Sequence, residues 1–231
     1  MMPQNSTEFT ASPSNTRIPR LVLPGVFAFP SNKDTLGATS YLIVDNIGNI
    51  LIDCPSWNQA NQEFIQSQGG VDYLIISHRG GISKYVDQIQ QALDCQIIIQ
   101  EQEAYLLPEI SVTSFADEYS LSSELELIWT PGHSPGSCCL YWQQQGGMLF
   151  TGRHLLPKSP TKIVPLRTPK TFHWWRQLNS IAKLRDRFTA EQLQYILPGA
   201  NTAYLKGQGY IANAYHQLQI IDLNALKHLE P

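Results

Sequence analysis

Apolar residues in the first half of the chain form short strand-like runs that alternate with helix-like spacing. Residues 41–44 and 50–52 flank a turn that contains Asp45, Asn46 and Gly48, which is typical of a hairpin. After the hairpin, periodic apolar positions predict helices and continuous apolar runs predict strands. In chain order these are a helix over 57–70, a strand over 72–77, a helix over 82–95, a strand over 96–100 and a short helix over 101–107.

The second half of the chain changes from sheet to helix. Strands are predicted over 125–130, 137–142 and 147–152. A helix is predicted over 171–188, with Thr171 as its cap and an apolar stripe of Phe172, Trp175, Leu178, Ile181, Leu184 and Phe188. A short strand and loop follow over 194–201, and one closing helix over 210–229. Two sheets packed face to face, with helices outside, would bury these apolar faces.

Composition limits the class of protein. Of the 231 residues, 42% are hydrophobic and 15% are charged, with a net charge of -3, so binding of nucleic acid through a basic face is not expected. No apolar run approaches the roughly 18 to 20 residues of a membrane helix, and the first residues lack the order of a secretion signal. We expect a cytoplasmic protein with no membrane partner, a disordered polar tail over residues 1–16 and one domain over 17–231.

The four cysteines show no C-x-x-C spacing. Cys138 and Cys139 are neighbours whose side chains should point to opposite faces of a strand. Buried free thiols are therefore expected, and a structural zinc site is not.

Four stretches resemble motifs of the metallo-β-lactamase superfamily. They are "YLIVDNIGNILIDCP", "LIISHRGG", "IWTPGHSPGSCCLYW" and the pair "LFTGRHLL" and "YILPGAN". They occur in the family's order and with similar spacing, across roughly residues 20 to 200. The resemblance implies a four-layer αββα sandwich, an α/β fold with a site at one edge, although a fold alone does not define a function.

The resemblance also implies where metal ligands would lie, and most of them are replaced. Of the seven ligand positions in the family's motifs, His78 and His133 are retained. The other five positions hold Gly80, Ile82, Ser83, Arg153 and Ala200. A catalytic zinc needs about three protein ligands and a structural one about four. We therefore expect no metal and no other cofactor, and no metal-activated water.

The substitution by Arg153 suggests a different use for the site. A permanent cation stands where the resemblance implies a bridging carboxylate. Gly80 and Gly81 would present backbone N–H groups before a helix that begins near Ile82, an arrangement that favours anions. The predicted ligand-binding residues are His78, Arg79, Gly80, Gly81, His133, Arg153 and His154. Cations of the following loop, at Lys158, Lys162, Arg167 and Lys170, would add to the attraction. The leading hypothesis is non-catalytic binding of an anionic small molecule or partner.

Other interpretations stay open at this stage. Arg153 could pair with Asp53 in a structural salt bridge. A hydrolase of the superfamily type could use recruited ligands such as His154, Asp53 or Cys138, or a histidine base beside Ser83, Ser134 or Cys138 without metal. The protein could also be a scaffold or interaction subunit that binds a protein partner or a second copy of itself. The aromatic segment 172–175 is predicted to fill the core, with His173 and one Trp at the surface.

Overall fold

Two large β-sheets form the centre of the computed structural model, which describes residues 18–228. The first sheet has its seven strands in sequential order: β1 Arg20–Leu23, β2 Val26–Ala28, β3 Tyr41–Ile43, β4 Ile50–Ile52, β5 Tyr73–Ile76, β6 Gln96–Gln100 and β7 Val112–Phe115. Strands β1 to β4 are antiparallel, and β4 to β7 are parallel. The predicted hairpin is confirmed, since Leu42 pairs with Leu51. The tail predicted over 1–16 lies outside the described residues.

The second sheet has six strands in the order β15-β14-β11-β10-β9-β8. Their ranges are β8 Glu118–Ser120, β9 Leu125–Trp129, β10 Cys138–Trp142, β11 Met148–Gly152, β14 Tyr195–Pro198 and β15 Ile211–Ala212. A separate hairpin, β12 Leu156–Ser159 and β13 Lys162–Val164, lies in a segment that the sequence pattern predicts as a loop. The three strands predicted between residues 125 and 152 are confirmed.

The helices are α1 Gln59–Ser67, α2 Val86–Leu93, α3 Glu101–Ala104, α4 Trp174–Arg187, α5 Ala214–Gln219 and α6 Leu223–Lys227. Helix α4 begins at Trp174, and its cap is His173, whose Nδ1 accepts from the Arg176 amide, so the cap predicted at Thr171 is wrong. The single closing helix is also wrong. A left-handed Asn213 precedes α5, and Asp222 caps a separate α6 by accepting from the Ala225 amide.

Side chains that alternate along the strands divide the interior into three apolar layers. Ile50 and Ile52 of β4 face the space between the sheets, while Leu51 packs under α1 and α2. In β10, Cys138 faces that central space and Cys139 faces α4 and α5. Because a strand presents successive residues to opposite faces, the two sheets and their helices form four layers. The αββα sandwich and the buried free cysteines are confirmed.

The core-facing side of α4 differs from the predicted stripe. Trp174 is buried, packs on the second sheet and donates its indole N–H to the Leu226 carbonyl. Trp175 and Phe172 are half exposed, so the prediction that one Trp lies at the surface is correct, but these two members of the predicted stripe are wrong. The other four members, Leu178, Ile181, Leu184 and Phe188, are buried as predicted. No helix of residues 18–228 is long and apolar enough to cross a bilayer.

Candidate functional site

The site lies where the C-terminal ends of β4 and β5 meet the ends of β11 and β14. The backbone N–H of Cys138 donates to the Ser77 carbonyl at 2.8 Å, which joins the two sheets. Gly152, at the end of β11, has a φ of +49°, and a Cβ there would lie 2.5 Å from the Ser77 hydroxyl oxygen. Glycine is therefore required at position 152 both by backbone conformation and by the close approach of the sheets.

Asp53 follows β4 and forms the floor of the site. Its two carboxylate oxygens accept from the Ser77 amide at 2.8 Å and the Ser77 hydroxyl at 2.7 Å. Burial raises the pKa of Asp53 to about 6, against the hydrogen bonds from Ser77 and the positive charge of Arg153. Among residues 18–228 no ion pair joins Asp53 to Arg153. The alternative of a structural Arg153–Asp53 salt bridge is therefore wrong.

His78 is buried beside this carboxylate and is neutral. Burial, followed by the neighbouring His133 and Arg153, lowers the pKa of His78 well below its usual value, so its 3.8 Å approach to Asp53 is not an ion pair. Its Nδ1 lies 2.9 Å from the Ser77 hydroxyl oxygen. Because Ser77 gives its one hydroxyl proton to the Asp53 carboxylate, it accepts from His78, which places the His78 proton on Nδ1. The Nε2 atom is then a bare acceptor, buried and without a partner in residues 18–228.

His133 comes from the loop between β9 and β10 and packs against His78. The two imidazole rings have their centroids 5.4 Å apart at an interplanar angle of 67°. Burial, with the charges of Arg153 and Arg79, lowers the pKa of His133 to about 4. The two surviving histidines are therefore brought together as predicted, but neither adds positive charge at neutral pH.

Gly80 and Gly81 do not form a helix start. Residues Arg79–Gly81 form a single 3-10 turn, Ile82 is extended, and α2 begins at Val86. The expected anion site at a helix N-terminus is therefore wrong. The glycines are instead required by close packing, since a Cβ on Gly81 would lie 2.1 Å from an Asp53 carboxylate oxygen and one on Gly80 would lie 2.9 Å from His78 Nε2.

Arg79 has a partner that the sequence did not reveal. Its Nε donates to Glu103 Oε1 at 2.9 Å, and Glu103 is fully buried while Arg79 is half exposed. The positive charge of Arg79 is largely offset by this carboxylate. The position of Glu103 in the sequence could have indicated this pair. Glu103 lies three residues after the end of β6, which is the strand beside β5, and the C-terminal ends of parallel strands lie at one edge of a sheet.

Arg153 forms no ion pair with a carboxylate of residues 18–228 and bonds backbone carbonyls instead. Its Nη2 donates to the carbonyls of Thr35 at 3.1 Å and Leu36 at 2.8 Å, and its Nε is buried without a partner in residues 18–228. Burial lowers the pKa of Arg153, and the charge of Asp53 raises it. A guanidinium stays protonated in proteins, so Arg153 carries a charge that the neighbouring side chains do not neutralise by contact.

His154 follows Arg153 and is buried behind the site. Both of its ring nitrogens lack a partner in the part of the chain that the structure describes, while its carbonyl accepts from Gln177. Burial, with the nearby His133, lowers the pKa of His154 to about 3. It contributes no charge to a ligand.

A cavity of about 460 Å³ opens at this edge of the sandwich, and we call it the cleft. Its polar lining includes Arg79, His133, Ser134, Arg153 and Lys170. Four of the seven predicted ligand-binding residues line the cleft, namely Arg79, Gly80, His133 and Arg153. The other three, His78, Gly81 and His154, are buried behind its walls.

The donor set does not fit a divalent metal. Residues 18–228 contain no group of three or more His, Cys, Asp or Glu side chains placed to hold one. The two imidazoles fall short of the three or four ligands of a zinc site, and the adjacent Arg153 guanidinium would repel a dication.

The fold is that of metallo-β-lactamase structures. A metallo-β-lactamase family protein from Thermus thermophilus has 15% identity and a TM-score of 0.62 over 90% of this chain and 81% of its own. The DIM-1 metallo-β-lactamase has 14% identity and a TM-score of 0.63 over 84% and 96%. A quorum-quenching N-acyl homoserine lactone hydrolase has 19% identity and a TM-score of 0.56 over 75% and 90%.

The chain therefore has the metallo-β-lactamase fold that its motifs predicted. No protein-family model and no curated protein matches it. At these identities the likeness concerns the fold, and the site must be interpreted from its own residues.

Proposed function

We propose that the protein binds a small anion in the cleft, without a metal and without catalysis, and that Arg153 is the anchor. The main support for this proposal is the environment of the Arg153 guanidinium. It lines the cleft, and within residues 18–228 its Nε has no hydrogen-bond partner and it contacts no carboxylate. A partly buried charge of this kind is costly unless it is paired. A carboxylate or phosphate ligand would supply the missing counter-ion through charge-assisted hydrogen bonds.

The charge balance of the cleft supports an anion. Glu103 offsets Arg79, and the histidines are neutral, so they neither attract nor repel an anion strongly. Arg153 and Lys170 then remain as cations on the lining, against the buried carboxylate of Asp53. The source of the attraction thus differs from the sequence hypothesis, which assigned part of it to histidines and to a helix start.

A metal-free hydrolase is less well supported by the same atoms. The candidate nucleophiles Ser83, Ser134 and Cys138 are all buried. The Ser134 hydroxyl is hydrogen-bonded to the Ser137 hydroxyl at 2.9 Å, and burial raises the pKa of the Cys138 thiol well above its usual value. His78 Nε2 is buried, and the pKa of His78 is far below neutrality, which makes it a weak general base. Some neighbours with this fold are lactonases and lactamases, but the groups that would activate water are missing from residues 18–228.

The test is calorimetric titration with benzoate and inorganic phosphate. Because charge-assisted hydrogen bonds contribute about 1.5 to 3 kcal/mol, we expect Arg153→Gln to weaken binding by at least about ten-fold. Arg153→Lys keeps the charge and should retain part of the affinity, which separates loss of charge from disturbance of the 35–36 turn. Arg176→Gln removes an exposed arginine of α4 and is the matched control. Failure of the wild type to bind either anion, or equal affinities of the Arg153→Gln and Arg176→Gln variants, would refute the proposal.

A further inference from the structure

The cleft is larger and more apolar than a small inorganic anion requires. Its volume of about 460 Å³ lies in the range of sites for organic ligands. Beside the cations, its walls are formed by Leu36, Leu156, Leu166 and Pro169. An apolar wall and the Arg153 cation therefore occur in one cavity. A ligand that binds to both must have an apolar part and an anionic group.

Two of these leucines are unusually exposed. Leu36 is 70% and Leu166 is 43% accessible to solvent, and both line the cleft. Single exposed leucines are common on protein surfaces, but here two of them line the same cavity, which is typical of a binding site.

Leu36 is also held in an unfavourable backbone conformation. Its φ is +55°, the left-handed region that residues with a Cβ rarely adopt. Arg153 donates to the carbonyls of Leu36 and Thr35, so the same guanidinium that would anchor an anion also supports the turn that carries Leu36. Strain of this kind is retained where surrounding contacts enforce it, and it concentrates at functional sites.

From these observations we infer that the ligand is an amphiphilic anion, with one carboxylate or phosphate head at Arg153 and an unbranched apolar chain against Leu36 and Leu166. The inference rests on the proposed anion site and specifies the class of ligand. Transfer of a methylene group from water to an apolar wall strengthens binding by up to about four-fold. The cleft is partly open, so a smaller gain per methylene is expected.

The experiment measures affinity for acetate, butanoate, hexanoate and octanoate by calorimetry below their micelle concentrations. Wild-type affinity should rise by at least about two-fold per methylene along this series. Leu36→Gly relieves the positive φ and Leu166→Ser changes an exposed residue, so both variants should fold. Each should flatten the dependence of affinity on chain length. Leu21→Ser, at a leucine that is 60% exposed and does not line the cleft, is the matched control.

The outcomes distinguish this inference from the proposal beneath it. If all four acids bind equally and Arg153→Gln weakens them all, the anion site stands and the amphiphile inference is overturned. If none of the acids binds, and neither does phosphate, both fail. If octanoate binds equally well to the wild type and to Arg153→Gln, its alkyl chain binds without a contribution from the carboxylate. That result also overturns the inference.

Discussion

At the residue scale, the site is set by buried polar side chains whose charges differ from those expected in water. Burial makes His78, His133 and His154 neutral and raises the pKa of Asp53. Desolvation by burial is the largest cause of each of these pKa shifts. A sequence motif gives no information about it. Arg153 keeps its charge in the same surroundings because a guanidinium is very hard to deprotonate. Arg153 and Lys170 therefore supply the positive charge of the cleft lining that Glu103 does not offset.

His154 should make the protein sensitive to acid. Its pKa is about 3 in the folded chain and about 6.5 when unfolded, so the unfolded chain binds the extra proton. Its contribution to stability is complete above pH 6.5 and falls as the pH falls towards 3. We expect the loss of unfolding free energy between pH 7 and pH 5 to be about 2 kcal/mol smaller in His154→Leu than in the wild type, by urea titration.

Other groups act on the same pH range, and the comparison of variants removes their effect. His78 and His133 act in the same direction as His154, and Asp53, whose pKa is raised, opposes them as the pH falls. His216→Leu, at an exposed position of α5, is the matched control. An unchanged pH dependence in His154→Leu would contradict this account.

At the element scale, helix α4 shows how the position of its first residue decides which tryptophan is buried. The period of apolar residues correctly predicted the helix and the burial of Leu178 and Ile181, but at the N-terminus Trp174 packs on the sheet and Trp175 is left outside. Trp174 also bonds the carbonyl of Leu226 and so ties α4 to α6. The adjacent residues Trp174 and Trp175 are chemically identical but thus have different roles.

Replacement of each tryptophan by alanine should separate these roles. Trp174→Ala removes a buried aromatic side chain and the partner of the Leu226 carbonyl, for an expected loss of about 3 to 5 kcal/mol in unfolding free energy. Trp175→Ala changes a side chain that is half exposed, and about 1 kcal/mol or less is expected. Urea unfolding of both variants measures the difference, and similar losses would show that the assignment of the core-facing side is incorrect.

At the scale of the whole molecule, two sheets bring together residues that are far apart in the sequence. Asp53 and Ser77 come from the first sheet, and Gly152 and Arg153 from the end of a strand in the second. The hydrogen bond between Cys138 and Ser77 fixes how closely the sheets approach. A cavity is thereby formed at this edge of the sandwich.

Metal should contribute nothing to the stability of this sandwich. A metal that binds only the folded chain at 100 times its dissociation constant would add about 2.7 kcal/mol. We expect neither chelator nor added zinc to shift the thermal unfolding midpoint, and elemental analysis of the purified protein to find no stoichiometric zinc, iron or manganese. A midpoint that falls on chelation and returns with zinc would contradict the metal-free site.

The sequence by itself determined the layers and the edge at which the candidate site lies. Alternation along strands such as Ile50–Ile52 and Cys138–Trp142 is a local property, so it predicted which faces are buried. The motifs around His78 and His133 identified the edge at which a site would lie. These features depend on residues close together in the chain, where physical rules of spacing apply directly.

The tertiary structure alone decided which charges remain active. That Glu103 neutralises Arg79, that Asp53 binds Ser77 in preference to Arg153, and that the turn at Arg79–Gly81 does not continue into a helix all depend on contacts between distant segments. Pairing and desolvation of a charge are set by its surroundings in space. The sequence could therefore place Arg153 at the cleft, but only the fold could show that no carboxylate of residues 18–228 forms an ion pair with it.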